Sequence, residues 1–435
     1  MNIERKFKIQ PLIGLGLFLI LALFGFIKNG VNPNLPLFLF TGVALGYILT
    51  RSRYGFAGGI KRQYITGEGS LGKALLVMFA IAMVLTAVIQ WSAAMNGADI
   101  PGLNFVKFLN ISILLGGFLF GMGMMLAGGC ASGTLCDAGE GEGRALIALV
   151  AFILGSVPGL AVQDMLNTSA IGQIGMKMYL PDVFGYVGAV ALSCLVLFGL
   201  YVMVQKYENF RKKEGYFKET VYEDQEMPMA KEGKFKLFSY QTFHKVFVQR
   251  WRFMTGGILL AIMFAFILVT TGNSWGITGA FTTWGVAFFQ MFGIEFTAPV
   301  FAYTVETANN GILNDPYSLR NLGLIFGAAI AFLLAGRFTF KFKFKFKDVS
   351  YYLLGGFLMG FGARLAGGCN IGALFSGICN FSLSGWGFFI TLTLGGIFAL
   401  KVFAGNVDVI PQDRHLKVGV PGNEILKESF ALNQE

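Results

Sequence analysis

Runs of apolar residues, separated by short charged or glycine-rich intervals, occupy the chain at roughly 12–27, 35–50, 71–93, 108–126, 145–165, 184–204, 253–271, 321–336, 350–366 and 387–404. Each approaches the length at which a helix crosses a bilayer, so the pattern predicts about ten transmembrane helices. The interval 205–252 is charged with both signs and reads as a solvated connector. The interval 272–320 is aromatic and glycine-rich, and predicts short or re-entrant helices outside the main spans. The expected fold class is an all-α polytopic membrane protein.

The pattern also repeats. GGFLFGMGMMLAGGC (Gly116 to Cys130) and GGFLMGFGARLAGGC (Gly355 to Cys369) agree at 11 of 15 positions. An internal repeat of that kind marks two copies of one structural unit. Spans 35–50, 71–93, 108–126 and 145–165 then correspond to 253–271, 321–336, 350–366 and 387–404.

Basic residues fix the expected orientation. Arg5, Lys6 and Lys8 precede the first span, and Arg51, Arg53, Lys61 and Arg62 follow the second. The 205–252 connector is lysine-rich, and lysine alternates with phenylalanine from Arg337 to Lys347. Placing all four clusters in the cytoplasm agrees with ten crossings and both termini inside. The helix before Cys130 then runs inward and the helix before Cys369 runs outward, which makes the repeat an inverted one, a signature of transporters. The expected divisions are an N-terminal extra helix over 1–34, a first membrane half over 35–204, a cytoplasmic linker over 205–252, a second membrane half over 253–404 and a cytoplasmic tail over 405–435. The N-terminal MNIERKFKIQPLIGLGLFLI has the outline of a signal sequence but no clear small-residue cleavage site, so it reads as a retained helix.

Composition sharpens this reading. Of 435 residues, 55% are hydrophobic and 13% charged, with mean hydropathy +0.63, against about 25% charged for soluble proteins. The formal charge of +10 is gathered in a few loops rather than on one continuous face, which argues against nucleic-acid binding. With two histidines and no CxxC pair, neither a metal site nor a haem or other cofactor is expected. The five cysteines, Cys130, Cys136, Cys194, Cys369 and Cys379, lie mostly in apolar context and do not form a secreted disulfide framework.

The repeated cysteines carry the candidate chemistry. A spanning helix should break at Gly128-Gly129 and at Gly367-Gly368, because paired glycines are poor helix-interior residues. Short helices starting at Ala131 and at Asn370 would then aim free backbone N–H groups at the space beside Cys130 and Cys369, a favourable place for an anion. The thiols add a weak donor and a polarizable acceptor suited to a sulfur or selenium atom. A lone cysteine in a membrane helix is ordinarily a small packing residue; two at equivalent repeat positions are better explained as pore residues. Cys136 and Cys379 are not repeat-equivalent and stand as further candidates, while Cys194 reads as packing. Arg364 is a charge inside an apolar span, either satisfied by carbonyls or drawing an anion to the pore. Asp137, Glu140 and Glu142 are expected at the inner mouth, capping the next helix. RSRYGFAGGIKRQYITG (Arg51 to Gly67) and TGNSWGITGAFTTWG (Thr271 to Gly285) lack a phosphate-loop pattern and read as irregular backbone lining the path.

LAGGCASG with its following GEG, GFGARLAGGCNIGALFSGICNFSLSGW and GITGAFTTWG together resemble the YeeE/YedE membrane proteins, over about residues 41 to 404. That resemblance implies an inverted-repeat helical bundle with recesses on both sides. It implies pore cysteines, here Cys130 and Cys369, that pass thiosulfate by S–H hydrogen bonds, and a small cytoplasmic partner of the TusA sulfur-carrier type. Family members often carry a further cysteine in a pattern like R-x-x-C-F; here RYGF puts Gly55 in that place. The expectation is a multi-pass importer of a small sulfur-containing anion in a bacterial inner membrane, with a selenium compound as the nearest variant. The competing expectations are a membrane-embedded thiol redox protein or sulfurtransferase, and a purely structural membrane subunit.

Overall fold

A computed structural model describes residues 9–219, 222–229, 239–342 and 344–411. Arg5, Lys6 and Lys8, and the tail beyond 411, lie outside the described residues. Two long helices begin the chain, α1 (Gln10–Asn29) and α2 (Asn34–Ser52). A short α3 (Phe56–Ile65) precedes α4 (Ser70–Met95), and β1 (Phe108–Asn110) leads into α5 (Ile111–Leu126). A short α6 (Ala131–Glu140) then precedes α7 (Gly143–Thr168); β2 (Gly175–Lys177) and α8 (Leu180–Lys213) follow. After a single turn in the linker, α9 (Tyr240–Phe243), the order recurs. It runs through α10 (Phe253–Thr271), α11 (Thr278–Gln290), α12 (Ala302–Asn309), α13 (Pro316–Leu334) and α14 (Phe346–Leu365). A π-helical turn over Asn370–Ser376 continues into α15 (Gly377–Cys379), and α16 (Leu383–Val402) ends the described helices.

Among the described residues, nine apolar segments are long enough to cross a membrane. α14 matches them in length at 20 residues, though it carries Lys347, Asp348 and Arg364. The ten expected spans are therefore all helical, and the remaining short helices α3, α6, α11 and the 370–379 segment recur at equivalent places in the two halves. The stretches expected as irregular backbone, Arg51 to Gly67 and Thr271 to Gly285, are corrected: most of each is helical, in α3 and α11. Only brief non-helical links precede them. Packing supplies the helix here that glycine-rich composition disfavours.

The repeat is inverted in space. α5 and α14 cross antiparallel, so that a Cβ on Gly116 would lie 2.6 Å from the Gly362 carbonyl and one on Gly362 would lie 2.7 Å from the Gly116 carbonyl. Gly355 and Gly123 meet in the same reciprocal way, with the Gly355 position 2.6 Å from the Ala127 nitrogen. Gly116 and Gly355 are equivalent in the repeat, as are Gly123 and Gly362, so the crossing maps onto itself when the halves are exchanged. Small residues allow this approach because membrane helices associate through close packing rather than hydrophobic exclusion. α7 lies along α14, and its counterpart α16 lies along α5; α2 packs on α13 and α10 on α4. α1 and α8 sit outside the doubled unit, with few of their side chains buried.

Candidate functional site

Both Gly-Gly-Cys motifs break their helices in the same way. Gly128 and Gly367 adopt φ of 79° and 65°, a left-handed conformation that glycine reaches without the Cβ penalty. Cys130 and Cys369 follow in extended backbone, with φ of −81° and −101°, and each occupies the N-cap position of the next segment. The Cys130 carbonyl accepts from Thr134 N at 2.7 Å and the Cys369 carbonyl from Ala373 N at 2.8 Å. The second turn is π-helical rather than α-helical, a form found frequently at functional sites. The first amides of each segment have no intrahelical partner and face back toward the cysteine. At Cys369 that arrangement is explicit, since Ile371 N donates to Sγ at 3.4 Å.

Cys130 and Cys369 are 1% and 0% exposed and share one core cluster. Cys130 Sγ pairs with Ser132 Oγ at 3.4 Å. Beside Cys369, Asn370 donates through Nδ2 to Met124 Sδ at 3.5 Å, and its buried Oδ1 has no partner among the described residues. Gly129 and Gly368 complete the two turns. Cys136 is buried in α6. Cys379 donates its S–H to the Phe79 carbonyl of α4 at 3.8 Å, so that thiol is occupied in joining helices. Cys130 and Cys369 thus hold the same position at the start of a short segment, and the Cys379 thiol meets α4.

The acids after Cys130 differ from the expectation that they cap the next helix. Glu142 occupies the N-cap position of α7 but makes no side-chain cap; its carboxylate pairs with Lys341 at 3.0 Å. Asp137 pairs with Arg144 at 2.8 Å, and Glu140 with Arg53 at 2.8 Å. Asp137 and Glu140 lie within α6 rather than at the start of α7, and all three carboxylates are taken by basic partners from other segments or from the next turn. Arg53 also pairs with Glu226 of the linker, which Arg337 grips from the end of α13. Burial alone would raise the Glu226 carboxyl, but the two guanidiniums hold it below the usual carboxylate range. The linker is therefore anchored against this end of the bundle.

Asn380, one residue past the position that matches Glu140 in the repeat, ends the second short helix. It donates to Ser274 Oγ at 2.6 Å, where Glu140 meets Arg53, and it accepts from Gln90 Nε2 at 3.0 Å. Phe381, like Gly141 after the first short helix, takes a left-handed conformation, at φ 57°, although it is not glycine. One contact is thus ionic at the Cys130 end and neutral at the Cys369 end.

Each motif also meets a cation. Arg144 donates to the Ala127 carbonyl at 3.2 Å, and Lys107 donates to the Gly367 carbonyl. The turn Val407–Ile410 lies against the first motif, with Val409 in contact range of Gly128 and Asp408 accepting from the Tyr352 hydroxyl at 2.6 Å. Arg364 packs where α14 meets Gly159 of α7, and its buried Nε has no partner among the described residues. Gly55, where a further cysteine was expected, is extended at φ −129° and ψ 127°, with no atom within 4 Å of a Cβ built there. Among the described residues no cluster of His, Cys, Asp and Glu could hold a metal.

Among the described residues, ten spanning-length helices and an antiparallel crossing of two repeated units define a multi-pass membrane protein of the inverted-repeat transporter class. The chain belongs to the sulphur transport family, whose profile matches residues 51–398. It is similar to the thiosulfate transporter TsuA of Escherichia coli K12, with 25% identity over 82% of this chain and 91% of that protein. The TsuA of Spirochaeta thermophila is 26% identical over 80% of this chain and 92% of its own length. A further relative, the probable transporter YedE of E. coli K12, is 32% identical over 38% of this chain and 41% of its own.

Proposed function

We propose that the protein imports a small sulfur-containing anion, thiosulfate foremost, across a bacterial inner membrane by way of Cys369 and then Cys130. The observation that carries this reading is the placement of two buried cysteines at equivalent helix N-caps that reach the core from opposite ends of one crossing. A thiol can donate S–H to an anionic oxygen or sulfur and accept through its own polarizable sulfur. The helix starts behind each cysteine add positive potential without adding a mobile charge. Gly128, Gly129, Gly367 and Gly368 give the turns their shape; Asn370 offers an unpartnered amide oxygen that orients the site, and Arg364 supplies positive charge on the Cys369 side. Names of the TsuA relatives support thiosulfate as the substrate.

In this reading the Cys369 end faces outward and the Cys130 end faces the cytoplasm, as the basic loops require. Both termini and the linker are then cytoplasmic, and a TusA-type carrier is the partner that takes sulfur from the inner mouth. Transport without chemical change to the ion makes the protein a conduit rather than an enzyme.

The test is growth. A bacterial strain stripped of its other sulfur-uptake routes, with thiosulfate as sole sulfur source, should grow when it carries this chain and should accumulate radiolabelled thiosulfate. Expression in the membrane without growth or accumulation would overturn the assignment.

A further inference from the structure

A polar cavity of about 370 Å³ opens beside the Cys369 motif, bordered by β1, the start of α5, the end of α7 and the end of α14. Its polar wall consists of Lys107, Asn110, Gln163, Asn167 and Gln173, and Leu365 and Ala366 bring it within a few residues of Cys369. Asn110 is already engaged, donating to Asn167 Oδ1 at 2.9 Å and to the Gly172 carbonyl at 2.8 Å. The side chains of Gln163 and Gln173 make no hydrogen bond to another described residue. They leave two amides free to serve something inside the cavity.

The charge balance is one-sided. Lys107 has no carboxylate partner among the described residues and donates only to the Gly367 carbonyl. Burial, then the nearby Arg364 guanidinium, pushes its ammonium down to about 8, which leaves it mostly protonated at neutral pH. Lys177, paired in register with Phe108, adds an exposed cation at the rim. Asp164 is exposed on α7 and does not line the cavity. The opposite end of the crossing contrasts with this. There Arg144 plays the part of Lys107 but is neutralised by Asp137, and the Val407–Ile410 turn covers the motif.

We propose that this cavity is a receiving subsite for a divalent sulfur oxyanion ahead of Cys369, with Lys107 providing its counter-charge and the Gln163 and Gln173 amides donating to its oxygens. The inference rests on the transport reading above and adds a place where the ion is first held. An oxyanion bound by ammonium and amides keeps its terminal sulfur free for the Cys369 thiol.

The experiment uses the full chain in liposomes, with initial rates of thiosulfate uptake over a range of concentrations. Lys107→Gln should raise the half-saturating concentration about tenfold or more, as expected for loss of one charge-assisted contact, while the maximal rate changes by less than about twofold. Lys107→Arg should stay near wild type. Added salt should raise the wild-type half-saturating concentration, because it screens the attraction, and should do so less steeply in Lys107→Gln. A lysine that only braces the Gly367 carbonyl would alter the maximal rate and leave the salt slope unchanged; that result overturns the subsite. Should Lys107→Gln misfold, Gln163→Glu places a carboxylate in the same cavity and must raise the half-saturating concentration too. Equilibrium binding of thiosulfate to the solubilised chain separates the two ideas. Binding weakened by Lys107→Gln supports the subsite even where no flux occurs, whereas flux with unaltered binding in that variant overturns the subsite alone. Absence of any binding also overturns it.

Discussion

Alanine at Cys369, or at Cys130, is expected to lower thiosulfate uptake by roughly ten- to a hundredfold while the chain still folds. Removing one partner from a buried polar contact costs about 1–3 kcal/mol, and about 1.4 kcal/mol is a factor of ten. An ion in the narrow part of the path would lose one of the few groups that replace its water. Folding should survive because the cap of each short segment is made by the cysteine carbonyl, to Thr134 N and to Ala373 N, and alanine keeps that carbonyl. Serine restores a donor but not the large soft sulfur, so it should fall between alanine and wild type. Cys194→Ala is the control: that residue is half-buried in α8, outside the doubled unit, and should change uptake by less than about twofold. Uptake by Cys369→Ala and Cys130→Ala equal to wild type would remove the cysteines from the mechanism.

Valine at Gly360 is expected to abolish folded protein rather than slow transport. α14 lies so close to α7 that a Cβ on Gly360 would fall on the Phe152 carbonyl, and one on Gly356 would fall on the Ala148 carbonyl. The repeat-equivalent crossing does the same, with Gly121 of α5 against the Leu392 carbonyl of α16. Overpacking between side chains costs about 1–3 kcal/mol. Here the obstacle is a backbone carbonyl, which cannot turn aside as a rotamer does, so the two helices must separate. Gly360→Ala should show a smaller loss, and Gly16→Val, with nothing within 4 Å of its added Cβ, should show none. The monodisperse fraction in detergent and the thermal midpoint measure the effect. A Gly360→Val protein with wild-type yield and midpoint would contradict the close helix crossing.

Much of the architecture was legible in the sequence because it depends on signals that act locally. Apolar run length gave the spans, GGFLFGMGMMLAGGC against GGFLMGFGARLAGGC gave the repeat, and the placement of basic loops gave its inversion. The paired glycines before Cys130 and Cys369 gave the breaks. What was not legible depends on meetings between distant segments. Arg51 to Gly67 and Thr271 to Gly285 read as irregular because glycine lowers helix propensity, yet packing against the bundle makes α3 and α11 helical. Glu142 stands where a cap belongs, and only the fold reveals Lys341 across from it. Lys107 passed unnoticed as one lysine in a loop. Its weight comes from Gly367 and Arg364, each more than 250 residues away, and from the absence of an acid among its described neighbours. Cys379, already set apart in the sequence because it is not repeat-equivalent, is seen only in the fold to place its thiol on the Phe79 carbonyl.

The most direct test of the cysteine path is an experimental structure of the wild-type chain soaked with thiosulfate, or with its selenium analogue, with the heavy atom located by anomalous scattering. The account predicts a peak within hydrogen-bonding reach of Cys369 Sγ or Cys130 Sγ, beside the amides that open the short helices. A bound anion found only away from both cysteines would contradict it.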